Sequence, residues 1–449
     1  MITAIIGCGF AIAPFIAFFV ILLSETSPRS IARDWSRDWF KSPPATSAYV
    51  HIPFCRRRCF YCDFAVTVVG QHKRGDTSGT MAQYVETLIA EIRATPAAGA
   101  ALKTVFFGGG TPSLLSVPQL EAILHALAQR FGIAPTAEIS MEMDPATFER
   151  DHLQGYRAAG VNRVSLGVQA FQDHVLAASG RFHRRGDIFH AVELLQQAQI
   201  ANFSFDLISG LPHQTDDDWQ ASLEQAIALN PTHLSHYDLI VEPQTAFARY
   251  FSPGEAPLPS DEATAQMYRT AQTLLTASGY DHYEICNYAK PGYEARHNLT
   301  YWRAQPCYGF GMGATSYLHH QRIDRPRTQR TYRQWVADFV AQGGQASDPV
   351  LPLSERVLES IMVGLRLKQG ISLAGVNQVY GEVGLKALEK AIAPHIRQQW
   401  VIVEPDADVP FGQNVTKFKP TSRIRLSDPE GFLMSNQVIV DAFNALEAL

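Results

Sequence analysis

From residue 47 to about residue 240, short β-branched apolar runs alternate with longer stretches whose apolar residues recur at helical spacing. That pattern predicts βα units and a parallel sheet. The strand candidates are 48–52, 104–107, 138–143, 163–168, 202–208 and 233–239. In the fourth of these, Arg163, Ser165, Gly167 and Gln169 share one face by the two-residue period of a strand. A polar face within a parallel sheet predicts a wet, ligand-facing interior. A polar break containing Gly and Pro at 343–352 marks a domain boundary. Beyond it, 355–367, 373–380 and 385–398 predict helices, and 400–403 and 422–426 predict short strands. At the other end, residues 1–23 carry no charge and are rich in Ile, Phe, Ala and Val, long enough at ~1.5 Å per residue to cross ~30 Å of hydrocarbon. Arg29, Arg33 and Arg37 follow and would leave the bulk of the chain cytoplasmic. Two readings of 1–23 stand: a membrane anchor, or a translation start placed upstream of the folded protein. Residues 24–46 read as a linker.

The first strand runs into Cys55-Arg-Arg-Arg-Cys59-Phe-Tyr61-Cys62, a CxxxCxxC loop. Three thiolates on one short loop make a soft, negatively charged cradle for metal. Closed zinc sites take four ligands, usually in two close pairs, and no second pair follows at short range. A cubane iron-sulfur cluster held by three cysteines would keep one iron open to an exchangeable ligand. The competing reading is a three-cysteine zinc site completed by a distant His. The second strand ends in Gly108-Gly109-Gly110-Thr111-Pro112-Ser113, where glycines permit close backbone approach to a ligand and Pro112 turns the chain toward a helix starting near Val117. The third carries Glu142 inside the apolar run Met141-Glu142-Met143, and a buried carboxylate demands a polar ligand, a cation or water.

The text YVHIPFCRRRCFYCDF resembles the radical S-adenosylmethionine (radical SAM) superfamily, in the branch of oxygen-independent coproporphyrinogen III oxidase and its relative, the heme chaperone HemW. The resemblance covers nearly the whole chain beyond the apolar start. It implies an α/β fold, a three-quarter (β/α)6 barrel at 47–290, an extension at 291–345 and a helical, winged-helix-like C-terminal domain at 350–449. It further implies a [4Fe-4S] cluster on Cys55, Cys59 and Cys62, with S-adenosylmethionine chelating the fourth iron. The cofactor would be contacted by Tyr49, Tyr61, Gly110, Thr111, Glu142, Gln169, Arg181, Asp206 and, through its backbone, Ile240. The oxidase reads CxxxCxxCxC, whereas Phe64 stands at the extra cysteine's position, which favours the chaperone branch. The hexad His297-Asn298-Leu-Thr-Tyr301-Trp302 is what that branch carries and is associated there with heme binding. His297 is the ligand candidate, with Asn298, Tyr301 and Trp302 beside it; imidazole is a common axial ligand, and aromatic faces suit a macrocycle. A hydrogen-bonded structural histidine is the alternative. The implied function is heme binding and transfer to an unidentified acceptor protein, with the oxidase as its rival.

Composition narrows the partners. A net charge of -5 gives no footprint for nucleic acid, and acidic 405–408 with no basic helix argues that the C-terminal domain is a cover over the barrel mouth. Six cysteines, three in one loop, suit reduced thiols and a cytosolic compartment. Cys307, just past the hexad, is close enough in sequence to approach a bound heme. Gly309-Phe-Gly311-Met-Gly313-Ala314 predicts close backbone packing against the barrel, since no βαβ unit follows as a dinucleotide site requires.

Overall fold

The computed structural model describes residues 42–70, 74–97, 99–346, 348–404 and 418–449. The apolar stretch 1–23, most of the linker and the acidic segment 405–408 lie outside the described residues. Among the described residues no helix is long and apolar enough to cross a membrane.

All six expected strands form: β1 (Ser47–Ile52), β2 (Leu102–Gly109), β3 (Ile133–Met143), β4 (Arg163–Gln169), β5 (Phe203–Ser209) and β6 (His233–Asp238). They pair in parallel, each beside its sequence neighbour. Helices alternate with them: α1 (Gly79–Ala94), α2 (Val117–Phe131), α3 (Arg150–Ala159), α4 (Arg185–Gln197), α5 (Asp216–Ala228) and α6 (Asp261–Ala277). Helix α2 starts where Pro112 and the following turn lead. Ser116 Oγ accepts from Gln119 N–H and Gln119 Oε1 from Ser116 N–H, a reciprocal cap that satisfies two orphan donors.

The strand register decides which side chains face inward. Parallel pairing sets Tyr49 beside Phe106, Phe106 beside Ser140 and Glu142 beside Ser165, then Gly167 beside Asp206 and Asp206 beside Ser235. That face is polar or half-buried on every strand, while the alternate residues Val50, Val105, Met141, Leu166, Phe205 and Leu234 are buried in the main hydrophobic core. A parallel sheet covered on both faces would read as continuous apolar runs. This one encloses a polar lumen and packs its outer face on the helices.

Sequence patterning did not reveal three further strands of the same sheet. Beyond β6 lies β8 (Asn287–Ala289), antiparallel to it, then β7 (Asp281–Glu284), antiparallel to β8, and β9 (Tyr308–Phe310) lies parallel against β1 at the opposite edge. The Gly-rich segment at 309–314 is therefore partly a strand. Its small residues do allow close packing: a Cβ on Gly309 would sit 2.2 Å from Thr315 O, and one on Gly311 would sit 2.7 Å from His51 O. Helix α7 (Arg296–Trp302) leads into β9, and α8 (Gln329–Ala341) packs beside α1.

The C-terminal segment contains α9 (Leu353–Gly364), α10 (Ala374–Arg397) and α11 (Ser435–Glu447) with a three-stranded antiparallel sheet. Helix α10 spans both helices expected there and breaks where they were separated, at Gly381 with φ 65°. This winged-helix-like unit has its own core, into which Tyr268, Ile285 and Trp302 of the preceding part also project.

Candidate functional site

The cluster loop is built on a two-residue ladder in which Phe54–Cys55 pairs with Thr67–Val68. Backbone bonds then fix its path. Val69 N–H donates to Cys55 O at 2.9 Å, Phe60 N–H to Ser179 O at 3.1 Å, and Cys62 N–H to Cys59 O at 3.3 Å. The Arg58 guanidinium ties the loop internally, donating to Cys62 O at 3.2 Å and Phe64 O at 3.1 Å. All three thiols are free and half-buried. Burial pushes the Cys55 thiol well up despite a nearby Thr111 hydroxyl, and burial plus the Cys59 charge pushes Cys62 up to about 12. Three thiolates cannot coexist there without a cation, which is what a metal cluster supplies. Among the described residues no three His, Cys, Asp or Glu side chains are disposed to share one ion. None of the described histidines completes a zinc site on this loop, whereas a cubane takes each thiolate at its own iron.

The glycine loop lies directly against the strand that carries Cys55. Gly110 N–H donates to Ile52 O at 2.9 Å and Thr111 N–H to Phe54 O at 2.7 Å; a Cβ on Gly110 would be 2.8 Å from both acceptors. Thr111 Oγ1 is 3.7 Å from Cys55 Sγ. Gly109, at φ 108°, donates its N–H to Glu142 Oε2 at 3.0 Å. Burial, then the charge of Asp206, raises the Glu142 carboxyl to about 8. Burial raises Asp206 to about 6 against hydrogen bonds from Ser235 and Ser165, the latter at 2.9 Å. Two carboxyls that burial raises and that face one lumen, even with the Arg163 and Arg181 charges acting on Asp206, favour a positively charged ligand.

Arg181 ties this lumen to the cluster. Its Nη1 lies 3.4 Å from Cys59 Sγ, and its Nη2 donates to Asp144 Oδ1 at 2.7 Å and Gly167 O at 2.8 Å. Burial alone would raise the Asp144 carboxyl, but the Arg181 guanidinium and the His183 ring hold it below its ordinary value. Asp144 and His183 were not singled out from the sequence; Asp144 falls at a strand end just before Pro145, where a barrel exposes functional groups. Gln169 ends β4 at φ 66°, a left-handed conformation that costs a non-glycine residue on the order of 1–3 kcal/mol. Its Oε1 is buried without a hydrogen-bond partner, as is Arg181 Nε. Strain and an orphaned acceptor together point to a missing ligand. Tyr61 is half-buried 6.3 Å from Phe247, and Ile240 is half-buried in the loop after β6.

The hexad occupies the other end of the barrel. His297 Nδ1 is 2.9 Å from Thr104 Oγ1 and Nε2 is 3.0 Å from Tyr301 Oη. The ring is 1% exposed, and burial lowers it to about 3, so it is neutral. Asn298 and Tyr301 are half-buried; Trp302 is buried. Cys307 Sγ lies 3.9 Å from Tyr301 Oη.

Known proteins match both the fold and the sequence. The radical SAM superfamily model matches residues 49–226. The heme chaperone HemW of Synechocystis is 47% identical over 403 residues, which is 90% of this chain and 97% of that protein. The chain belongs to the HemW family of radical SAM proteins. HemW of Bacillus subtilis is 35% identical over 75% of this chain and 87% of its own length. The structure of coproporphyrinogen III oxidase (HemN) from Escherichia coli aligns with TM-score 0.70 over 90% of both chains at 24% identity, a likeness of fold. The family's [4Fe-4S] cluster and S-adenosylmethionine agree with the chemistry of the loop and lumen.

Proposed function

We propose that this protein is a heme chaperone, binding heme and passing it to an acceptor protein. Its barrel mouth would hold a [4Fe-4S] cluster on Cys55, Cys59 and Cys62. When bound, that cluster offers one open iron to S-adenosylmethionine. Around it, Thr111 and Arg181 place donors beside Cys55 and Cys59, and the Gly110 backbone leaves room for the nucleoside's amino-acid end. Glu142 and Asp206 supply negative charge, while Gln169 presents an unpaired acceptor; Tyr49, Tyr61 and Ile240 form the walls. The observation that carries the reading is the nearly end-to-end match to a HemW protein. Phe64, at the position of the oxidase's extra cysteine, supports it. Of the hexad residues, Asn298 and Tyr301 are polar and only half-buried and so are the candidates for contact with a porphyrin, beside the half-buried Leu299; Trp302 is sealed in the C-terminal core. The compartment consistent with free thiols is the cytoplasm, and an acceptor at the membrane would be met through residues 1–23.

Anaerobic purification with iron, sulfide and heme quantified tests the proposal. The wild-type protein is expected to bind both cluster and heme, and Cys59→Ala to lose the cluster while retaining heme. Formation of protoporphyrinogen from coproporphyrinogen, with reductant and S-adenosylmethionine, would instead establish the oxidase reading.

A further inference from the structure

Helix α7 is wedged between the barrel floor and the C-terminal core. On the barrel side, the Glu138 carboxylate, on the inner face of β3, accepts the first backbone N–H groups of the helix, from Arg296 at 3.2 Å and His297 at 3.1 Å. Thr300 Oγ1 is 3.0 Å from Ser47 Oγ at the start of β1. The His297 ring stacks on Phe106 with centroids 5.1 Å apart and planes 21° apart, and Phe106 stacks on Tyr49 at 6.2 Å and 20°. His297 and Tyr49 are themselves 6.5 Å apart at 30°. On the far side, Trp302 is buried among C-terminal residues beneath the Arg366 guanidinium, 5.9 Å from its ring.

Both ring nitrogens of His297 are engaged, and iron could reach Nε2 only by displacing Tyr301 and entering through the floor. The ring instead supports the side chains above it. Tyr49 lies against the lumen beside Glu142, with a Cβ on Gly108 meeting the ring of one at 3.0 Å and the carboxylate of the other at 3.1 Å. We propose that His297 is a positioning residue for S-adenosylmethionine, fixing the height and tilt of Tyr49 through the three-ring stack, and that it does not ligate heme iron. The inference rests on the cofactor reading of the barrel and is independent of heme. Its neutrality fits: a ring held between a hydroxyl on each side has one proton to give and one lone pair to offer.

The test uses the full-length protein, anaerobically reconstituted, as wild type, His297→Ala, His297→Gln and Thr104→Val. Iron and sulfide are counted, hemin is titrated, and the electron paramagnetic resonance spectrum of the reduced cluster is followed as S-adenosylmethionine is added. His297→Ala is expected to keep the cluster and heme uptake but to need about tenfold more S-adenosylmethionine for the spectral change, the scale of one lost buried hydrogen bond. His297→Gln, which can still bond one neighbour, should recover most of that loss. Heme lost from His297→Ala with an unchanged S-adenosylmethionine titration would overturn the proposal, as would both titrations staying unchanged. Should His297→Ala fail to fold, Thr104→Val removes one hydrogen bond at constant shape and must weaken the same titration; no shift there overturns it too. Wild-type protein that responds to S-adenosylmethionine but takes up no heme would remove the chaperone reading and leave this one standing.

Discussion

Replacing Glu142 with Gln should flatten the pH dependence of S-adenosylmethionine binding. In the ligand-free protein the Glu142 carboxyl lies at about 8, raised from an ordinary 4.5 by burial and by Asp206. It is therefore ionised in about one molecule in ten at pH 7 and about nine in ten at pH 9. A ligand with a cationic methionine end selects the ionised form, so binding releases a proton. The apparent affinity contributed by this group then rises about tenfold across that interval, or about 1.4 kcal/mol. The ligand's own amino group titrates near the same pH but does so identically for both proteins. The quantity to measure is the difference between the wild-type and Glu142→Gln profiles, by calorimetry on reconstituted protein in buffers of different ionisation enthalpy, which also counts the proton. Parallel profiles with equal proton release would refute the argument.

The same group has a stability consequence. A carboxyl whose folded-state value is raised favours folding below its unfolded value and loses that contribution as pH rises through the folded one. Between pH 4.5 and 8, Glu142 thus increasingly opposes folding of the cluster-free protein, and Glu142→Gln should raise its stability at pH 7 by at most about 3 kcal/mol, read from urea unfolding; a loss of stability contradicts this. Arg325→Met strands the fully buried Glu91 carboxylate, which also accepts from Tyr332 Oη at 2.6 Å and Gly311 N–H at 2.9 Å. The expected loss is about 3–5 kcal/mol, visible as a Tm drop of roughly 10 °C by circular dichroism. Gly110→Ala drives a methyl to within 2.8 Å of two strand carbonyls; it should cost about 1–3 kcal/mol and abolish the cofactor-induced spectral change while leaving iron content near wild type.

Much of the site was readable because its chemistry lies in short contiguous text. Cys55, Cys59 and Cys62 share a loop, and Gly110 and Thr111 share a turn. Glu142 stood out as a charge within an apolar strand. The polar alternation noticed in β4 recurs on the inner face of the other strands, in Ser47 and Tyr49, Thr104, Ser140 and Glu142, Ser204 and Asp206, and Ser235 and Tyr237, with Phe106 as the apolar exception. Applied throughout, the same two-residue period would have outlined the lumen. Arg181 bonding to Asp144 and Cys59 was not readable, because three separate βα units converge to make that contact. The strand Tyr308–Phe310 escaped notice because three residues carry no periodicity; its place beside β1 is set by packing of Gly309 and Gly311.

The hexad shows where local text stops. By itself the sequence determined the six-strand βα order, the thiol loop and the polar face of β4, since each follows from side-chain chemistry over a few neighbouring positions. Tertiary structure alone decided that His297 lies under Phe106 and Tyr49 with both nitrogens bonded. The availability of an imidazole depends on what surrounds it, and its surroundings are Thr104, 193 residues away, and a barrel floor formed only when β1, β2 and β3 come together.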